Sequence, residues 1–200
     1  MLGLPKSIEL SMQLPKTAIY RKFNMSNAEK EKFDADISRL TIAAEISPKT
    51  LSVTVGKTVQ SIYVLLVSLK KKDFNDNTIV KVTKLIDQNM LLVLECDGES
   101  KLAIYHTKLI QSAWQPSDTL SVSLNGLNLD EIWEGIVVQV GVIDVEEGNT
   151  LEEQIAVNEQ QEKLKKEIER LEKLARKETQ PKKKFELVQR INKLKKDVSV

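Results

Sequence analysis

The chain has 200 residues and a mass of 22.7 kDa, which fits one globular domain plus an appendage. Hydrophobic residues make up 41% and charged residues 30%, with 7 Gly and 5 Pro, so a disordered or collagen-like chain is excluded. One Cys and one His exclude an intramolecular disulfide and an all-Cys/His zinc site, and the reading is a cytoplasmic protein with no cofactor and no metal. GxxxxGK[ST], GxGxxG and GxSxG are all absent, so enzymatic activity is not expected.

The net charge of +1 hides a split. Residues 1–150 carry 16 basic and 19 acidic side chains, a net of −3, whereas residues 151–200 carry 14 and 10, a net of +4. The longest apolar run, Ile62 to Val67, is far shorter than the roughly 18–20 residues that span a bilayer, so membrane insertion and secretion are disfavoured.

In chain order, Ser7–Gln13 reads as one or two helical turns capped by Ser7 and stopped by Pro15, and Thr17–Phe23 as a strand. Ser26-x-x-Glu29 is a capping box that opens a helix over 27–38. Leu40–Ile46 and Leu51–Val55 alternate around Ser47-Pro48-Lys49-Thr50 and predict an antiparallel hairpin. Both alternating sets of Ser61–Leu69 are apolar, which places that strand inside the sheet with both faces covered. Asn75 or Asp76 caps a helix carrying Ile79, Val82 and Ile86 that ends near Asn89.

Asp97-Gly98 between Met90–Cys96 and Ser100–His106 predicts a two-residue type I′ hairpin, with Val93 facing Leu102 and Leu91 facing Ile104. A strand is expected over Thr119–Leu124. Asn128-x-x-Glu131 caps a helix whose apolar positions from Leu129 to Val140 form a continuous stripe, with Trp133 in the core. After an acidic loop at 141–149, the capping box Thr150-x-x-Glu153 opens a helix of about 27 residues reaching Lys177. Pro181 breaks it, and Leu187, Ile191, Leu194 and Val198 restart the stripe. The expected fold is α+β: a mixed sheet packed by helices over 1–148, followed by a helical (coiled-coil) hairpin over 151–200.

Four groups are candidate functional residues. Leu164, Ile168, Leu171 and Leu174 form an apolar seam for a partner or for self-association, and Trp114, before Pro116, is a candidate interface anchor. Lys182, Lys183, Lys184 and Arg190 concentrate positive charge at the hairpin tip and suit nucleic-acid phosphates. Glu99-x-Lys101 with Asp87, Glu95 and Asp97 sketches a metal-dependent nuclease, but no Pro-Asp precedes the pair and Glu99 falls at a hairpin tip. His106 reads as a strand-end histidine. Cys96, between Glu95 and Asp97, is a poor nucleophile.

Three stretches also carry a resemblance: Met1-Leu-Gly-Leu-Pro-Lys-Ser7 with Leu14-Pro15-Lys16; Ile46-Ser-Pro-Lys-Thr-Leu51 before Val59-Gln-Ser-Ile62; and Glu178-Thr-Gln180 before Lys184-Phe-Glu-Leu187. The chain resembles, along its length, the bacterial domain-of-unknown-function family numbered 4391. It departs from that family at Ser61, where an acidic residue is usual, and at Val188, where Asn is usual. The resemblance implies a small cytoplasmic protein encoded beside helicases and DNA methyltransferases of restriction-type defence clusters. The expectation is a non-catalytic interaction protein docking such an assembly, with a nucleic-acid-binding accessory as the alternative and a metal-dependent nuclease as a further one.

Overall fold

The computed structural model describes residues 2–143 and 149–198, and the chain divides into two compact units, 1–143 and 144–200. The acidic stretch 144–148 and the side chains of residues 196–198, Val198 among them, lie outside the described residues.

The first unit is a mixed sheet in the order β1-β2-β3-β4-β5-β6, with β7 pairing β5. Its strands are β1 (Glu9–Gln13), β2 (Ile37–Ile46), β3 (Ile62–Leu69), β4 (Asn89–Cys96), β5 (Glu99–Tyr105), β6 (Leu109–Gln111) and β7 (Gln115–Pro116). All neighbours are antiparallel except β3 and β4. That parallel pair is joined through the helix α3 (Asp76–Thr83), as a parallel connection requires. The second unit holds the helical pair α5 (Leu151–Lys177) and α6 (Pro181–Val198). The expected α+β architecture with a C-terminal helical pair is what the chain forms.

β3 is interior, as its two apolar faces require. Leu65 and Val67 join a core cluster with Leu92 and Leu94 of β4, Ile79 and Val82 of α3, Phe33 of α2 (Asn27–Asp36) and Ile19 of α1 (Lys16–Lys22). The alternate residues Val64, Leu91, Val93, Leu102 and Ile104 are also buried but lie outside that cluster, and α4 (Leu129–Gly141) packs against β5 and β6. Full burial of each Leu or Val contributes about 1.5–3 kcal/mol, so this strand anchors the unit.

The hairpin β4–β5 has the expected register, Val93 opposite Leu102 and Leu91 opposite Ile104. Asp97 (φ 51°) and Gly98 (φ 78°) supply the two positive φ angles of its turn. The Ser26–Glu29 and Thr150–Glu153 capping boxes both close. Asn128 caps α4 by accepting from the Glu131 amide at 3.0 Å.

Three expected strands are corrected. Thr17–Phe23 lies in the helix α1 and the turn after it. Pro15 starts the helix with φ −70°, Ile19 is driven into the core, and Lys16 Nζ and Tyr20 Oη both donate to Asp34 at 2.7 Å, so tertiary contacts override the β-branched and aromatic pattern. Leu51–Val55 does not return beside β2. The Ser47–Thr50 turn, held by Thr50 Oγ1 donating to Glu45 O at 2.7 Å, leads away, and β2 pairs instead with the longer, two-faced β3. Thr119–Leu124 buries Leu120 and Val122 without a ladder, because the Ser123 backbone is engaged by the Gln139 side chain of α4.

Smaller differences follow the same logic. Ser7 lies in a single 3-10 turn (Lys6–Ile8), after which β1 begins. α3 ends at Thr83, and Asn89 already belongs to β4.

Two carboxylates fasten distant segments. Asp36 is 4% exposed and accepts from the Asn75 amide and Thr78 Oγ1, both at 3.1 Å, with Lys71 Nζ 3.2 Å away. Asp130, in the first turn of α4, accepts from the amides of Lys57, Thr58 and Val59 and from Thr58 Oγ1. Gly56 has to be glycine there, since a Cβ would run into the Asp130 carboxylate and lie 2.8 Å from its amide nitrogen.

Candidate functional site

The helical pair carries most of the residues singled out from the sequence. α5 runs 27 residues, or about 40 Å at 1.5 Å per residue, and a three-residue connection, 178–180, turns it into α6 with Pro181 as the first helical residue. Ile168, Leu171 and Ala175 of α5 and Ile191 of α6 form a buried cluster, flanked by Leu187 and Leu194. Lys195 pairs with Glu172 at 2.8 Å and Arg190 with Glu167 at 3.9 Å. The donated hydrogen bond from Arg170 holds Glu167 below its usual carboxylate range, and Lys195 does the same for Glu172.

The expected seam is therefore split. Ile168 and Leu171 are buried inside the pair, and Leu164 is half-buried. Leu174 faces outward at 44% exposure and lines, with Leu187, a groove of about 570 Å³ at the tip of the pair. Lys177, Lys183 and Arg190 edge this groove, opposed by Glu178 and Glu186. Lys182, Lys183 and Lys184 are all exposed. Phe185 (62% exposed) and Val188 (41%), which the sequence reading had not proposed as partner-binding residues, are exposed apolar residues of α6. Their signal was present: they fall off the 187/191/194 stripe by helical spacing.

Trp114 is half-buried at the edge of the core, with Lys72 Nζ 5.7 Å and Lys101 Nζ 5.1 Å from its ring. Lys101 also sits 4.7 Å from the Phe74 ring, and burial pushes its ammonium pKa down. Glu99 pairs with Lys72 rather than standing free. Lys72 ends a Lys70-Lys71-Lys72 run after β3 that the sequence reading had not singled out.

The nuclease constellation is not assembled. Asp87 lies before β4, 3.9 Å from Lys22, and Asp97 and Glu99 lie after it. An eight-residue strand at about 3.3 Å per residue puts roughly 26 Å between them, too far to share an ion. Among the described residues no group of three His, Cys, Asp or Glu is placed to hold a metal. Cys96 is buried, and burial, reinforced by the Asp97 carboxylate, raises its thiol pKa. His106 lies just past the end of β5, in the bend that leads to β6, its amide donating to Lys108 O at 3.0 Å.

Residues 2–198 match the model of a family described as domain of unknown function DUF4391. The chain belongs to that family. No curated protein and no solved structure matches it. No described helix of this DUF4391 chain is long and apolar enough to cross a membrane.

Proposed function

We propose that this DUF4391 chain is a non-catalytic accessory protein whose helical pair docks an anionic surface of a larger DNA-acting assembly. The family resemblance points to a helicase or DNA methyltransferase component as that partner. One observation carries the reading. The first turn of α6 holds Lys182, Lys183 and Lys184 and no acidic residue, at the end of a helix where the macrodipole is already positive. Such charges each cost about 0.3–1 kcal/mol at low ionic strength, so helix stability does not account for them. A bound anion does. The adjacent groove, floored by Leu174 and Leu187, adds apolar contact to that attraction.

The test is affinity capture of the tagged full-length chain from its native host, with the captured chains identified. A helicase or methyltransferase subunit recovered with wild type and lost with Leu174→Asp plus Lys183→Glu, at unchanged melting temperature, supports the reading. Recovery unaffected by the double substitution overturns it.

The same lysines suit the phosphates of nucleic acid, which is the second reading. Binding there would lose affinity linearly in log salt, with a slope of about −0.9 per phosphate contact on duplex DNA. A slope near zero, or binding that survives changing all three lysines to Glu, overturns it.

A further inference from the structure

The groove at the tip of the helical pair has a pattern as well as a charge. On α6, Lys183, Leu187 and Arg190 follow one another at i, i+4 and i+7, so one face presents a leucine with a cation a turn before it and a turn after it. On α5, Leu174 and Lys177 are three residues apart and share a face in the same way. Along both helices, therefore, cations stand one turn from an apolar floor. The stretch from Lys183 to Arg190 rises about 10 Å at 1.5 Å per residue, close to two helical turns.

These charges are available. Among the described residues Lys177 and Lys183 form no ion pair, and Arg190 reaches only Glu167, at 3.9 Å. Lys182 and Lys184, exposed on either side of Lys183, add to the positive field. Leu174 is exposed beside them.

Three features set the chemistry of an occupant. The rim is net basic, so the occupant is acidic. Two carboxylates, Glu178 and Glu186, stand in the same walls. They oppose a phosphate chain, which carries charge at every residue, whereas a peptide can place its acids opposite the cations alone. Both walls are also helices, whose backbone groups are bonded internally away from their ends. An extended segment would find no ladder partners there, while a helix satisfies its own backbone and offers side chains to the groove.

We infer, on the reading that the helical pair docks a partner, that the groove takes an acidic amphipathic helix of that partner. Apolar side chains at i and i+3 or i+4 cover Leu174 and Leu187, and Asp or Glu one turn beyond them meet Lys177, Lys183 and Arg190.

Random peptides of about 16 residues, long enough to hold a helix when bound, are displayed on phage and selected on the full-length chain. Enriched sequences should carry apolar residues at helical spacing with Asp or Glu a turn to either side, and should gain helical circular dichroism on binding. Leu174→Asp with Lys183→Glu should lower their affinity about tenfold or more. Lys165→Glu, the same change of charge at an exposed site of α5 outside the groove, should leave it within about threefold. Enrichment of basic or extended sequences, no enrichment at all, or affinity indifferent to the double substitution overturns the inference. So does displacement of the peptides by single-stranded DNA at physiological salt. If the peptides fail in one of these ways while capture from the host still depends on Leu174 and Lys183, the docking reading stands and the acidic helix does not. If the peptides behave as stated and no helicase or methyltransferase subunit is captured, the groove's preference stands and that identity of the partner does not.

Discussion

Thr78 Oγ1 donates to the Asp36 carboxylate at 3.1 Å across 42 residues of sequence, fixing the start of α3 to the junction of α2 and β2. Asp36 is almost fully buried and takes two hydrogen bonds there, with Lys71 supplying the opposite charge. Asp36→Ala strands these donors and should cost about 2–4 kcal/mol in a chemical denaturation of the full chain. Thr78→Val removes one donor and should cost less. Equal losses would show that the carboxylate contributes only through Thr78.

Two carboxylates set an acid limit. The Lys81 ammonium, with the Ser26 amide and hydroxyl, holds Glu29 at about 2, down from 4.5. The Thr58 hydroxyl, with the amides of Val59, Lys57 and Thr58, holds Asp130 at about 2, down from 3.8. Folded values below unfolded values mean stabilisation that is complete above the unfolded pKa and lost as pH falls through the folded one. The melting temperature should therefore drop between about pH 5 and pH 2, and Glu29→Gln with Asp130→Asn should flatten that drop. An unchanged slope in the double variant contradicts the assignment.

Val142 closes α4 in the left-handed region, φ 48° and ψ 46°, with 84% of its surface exposed. This conformation costs a residue with a Cβ roughly 1–2 kcal/mol, and the extra freedom of glycine in the unfolded chain gives back about 0.5–1. Val142→Gly should stabilise the chain by up to about 1.5 kcal/mol, since no buried surface is lost. Val142→Ala retains the Cβ and should bring no comparable gain. Calorimetry separates the two.

Leu171 is 2% exposed inside the helical pair. Leu171→Ala should cost about 2–4 kcal/mol, and the loss should be local. Amide exchange should accelerate through α5 and α6 while the amides of β3 and β4 keep their protection. Uniform acceleration would mean that the two units unfold together.

Legibility followed how local the determining contacts are. Ser26, Asn128 and Thr150 cap helices through partners three residues away, and Asp97-Gly98 sets its hairpin through its own backbone, so these elements could be read directly. The partner of β2 could not, because the choice between 51–55 and 62–69 rests on burial of both faces of β3 within a sheet whose order no local pattern encodes. α1 was misread because Thr17 and Ile19 carry β-strand character while Asp34, on another helix, decides their conformation. In the site, Lys182–Lys184 were plain from composition. The outward turn of Leu174 was not, since a seam of period 3.5 assigns it the same role as Leu171 until α6 takes up the inner positions.

The clasp between Asp130 and the loop at 57–59 also bears on how the chain is made. Lys57 and Asp130 are 73 residues apart, so on the ribosome the loop must wait for its anchor. At about 5–20 residues per second the wait lasts roughly 4–15 s. Through that interval the nascent chain presents the long connection before β3 without its fastening. Proteases and chaperones meet it there, and a slower codon run between these two points would lengthen their opportunity.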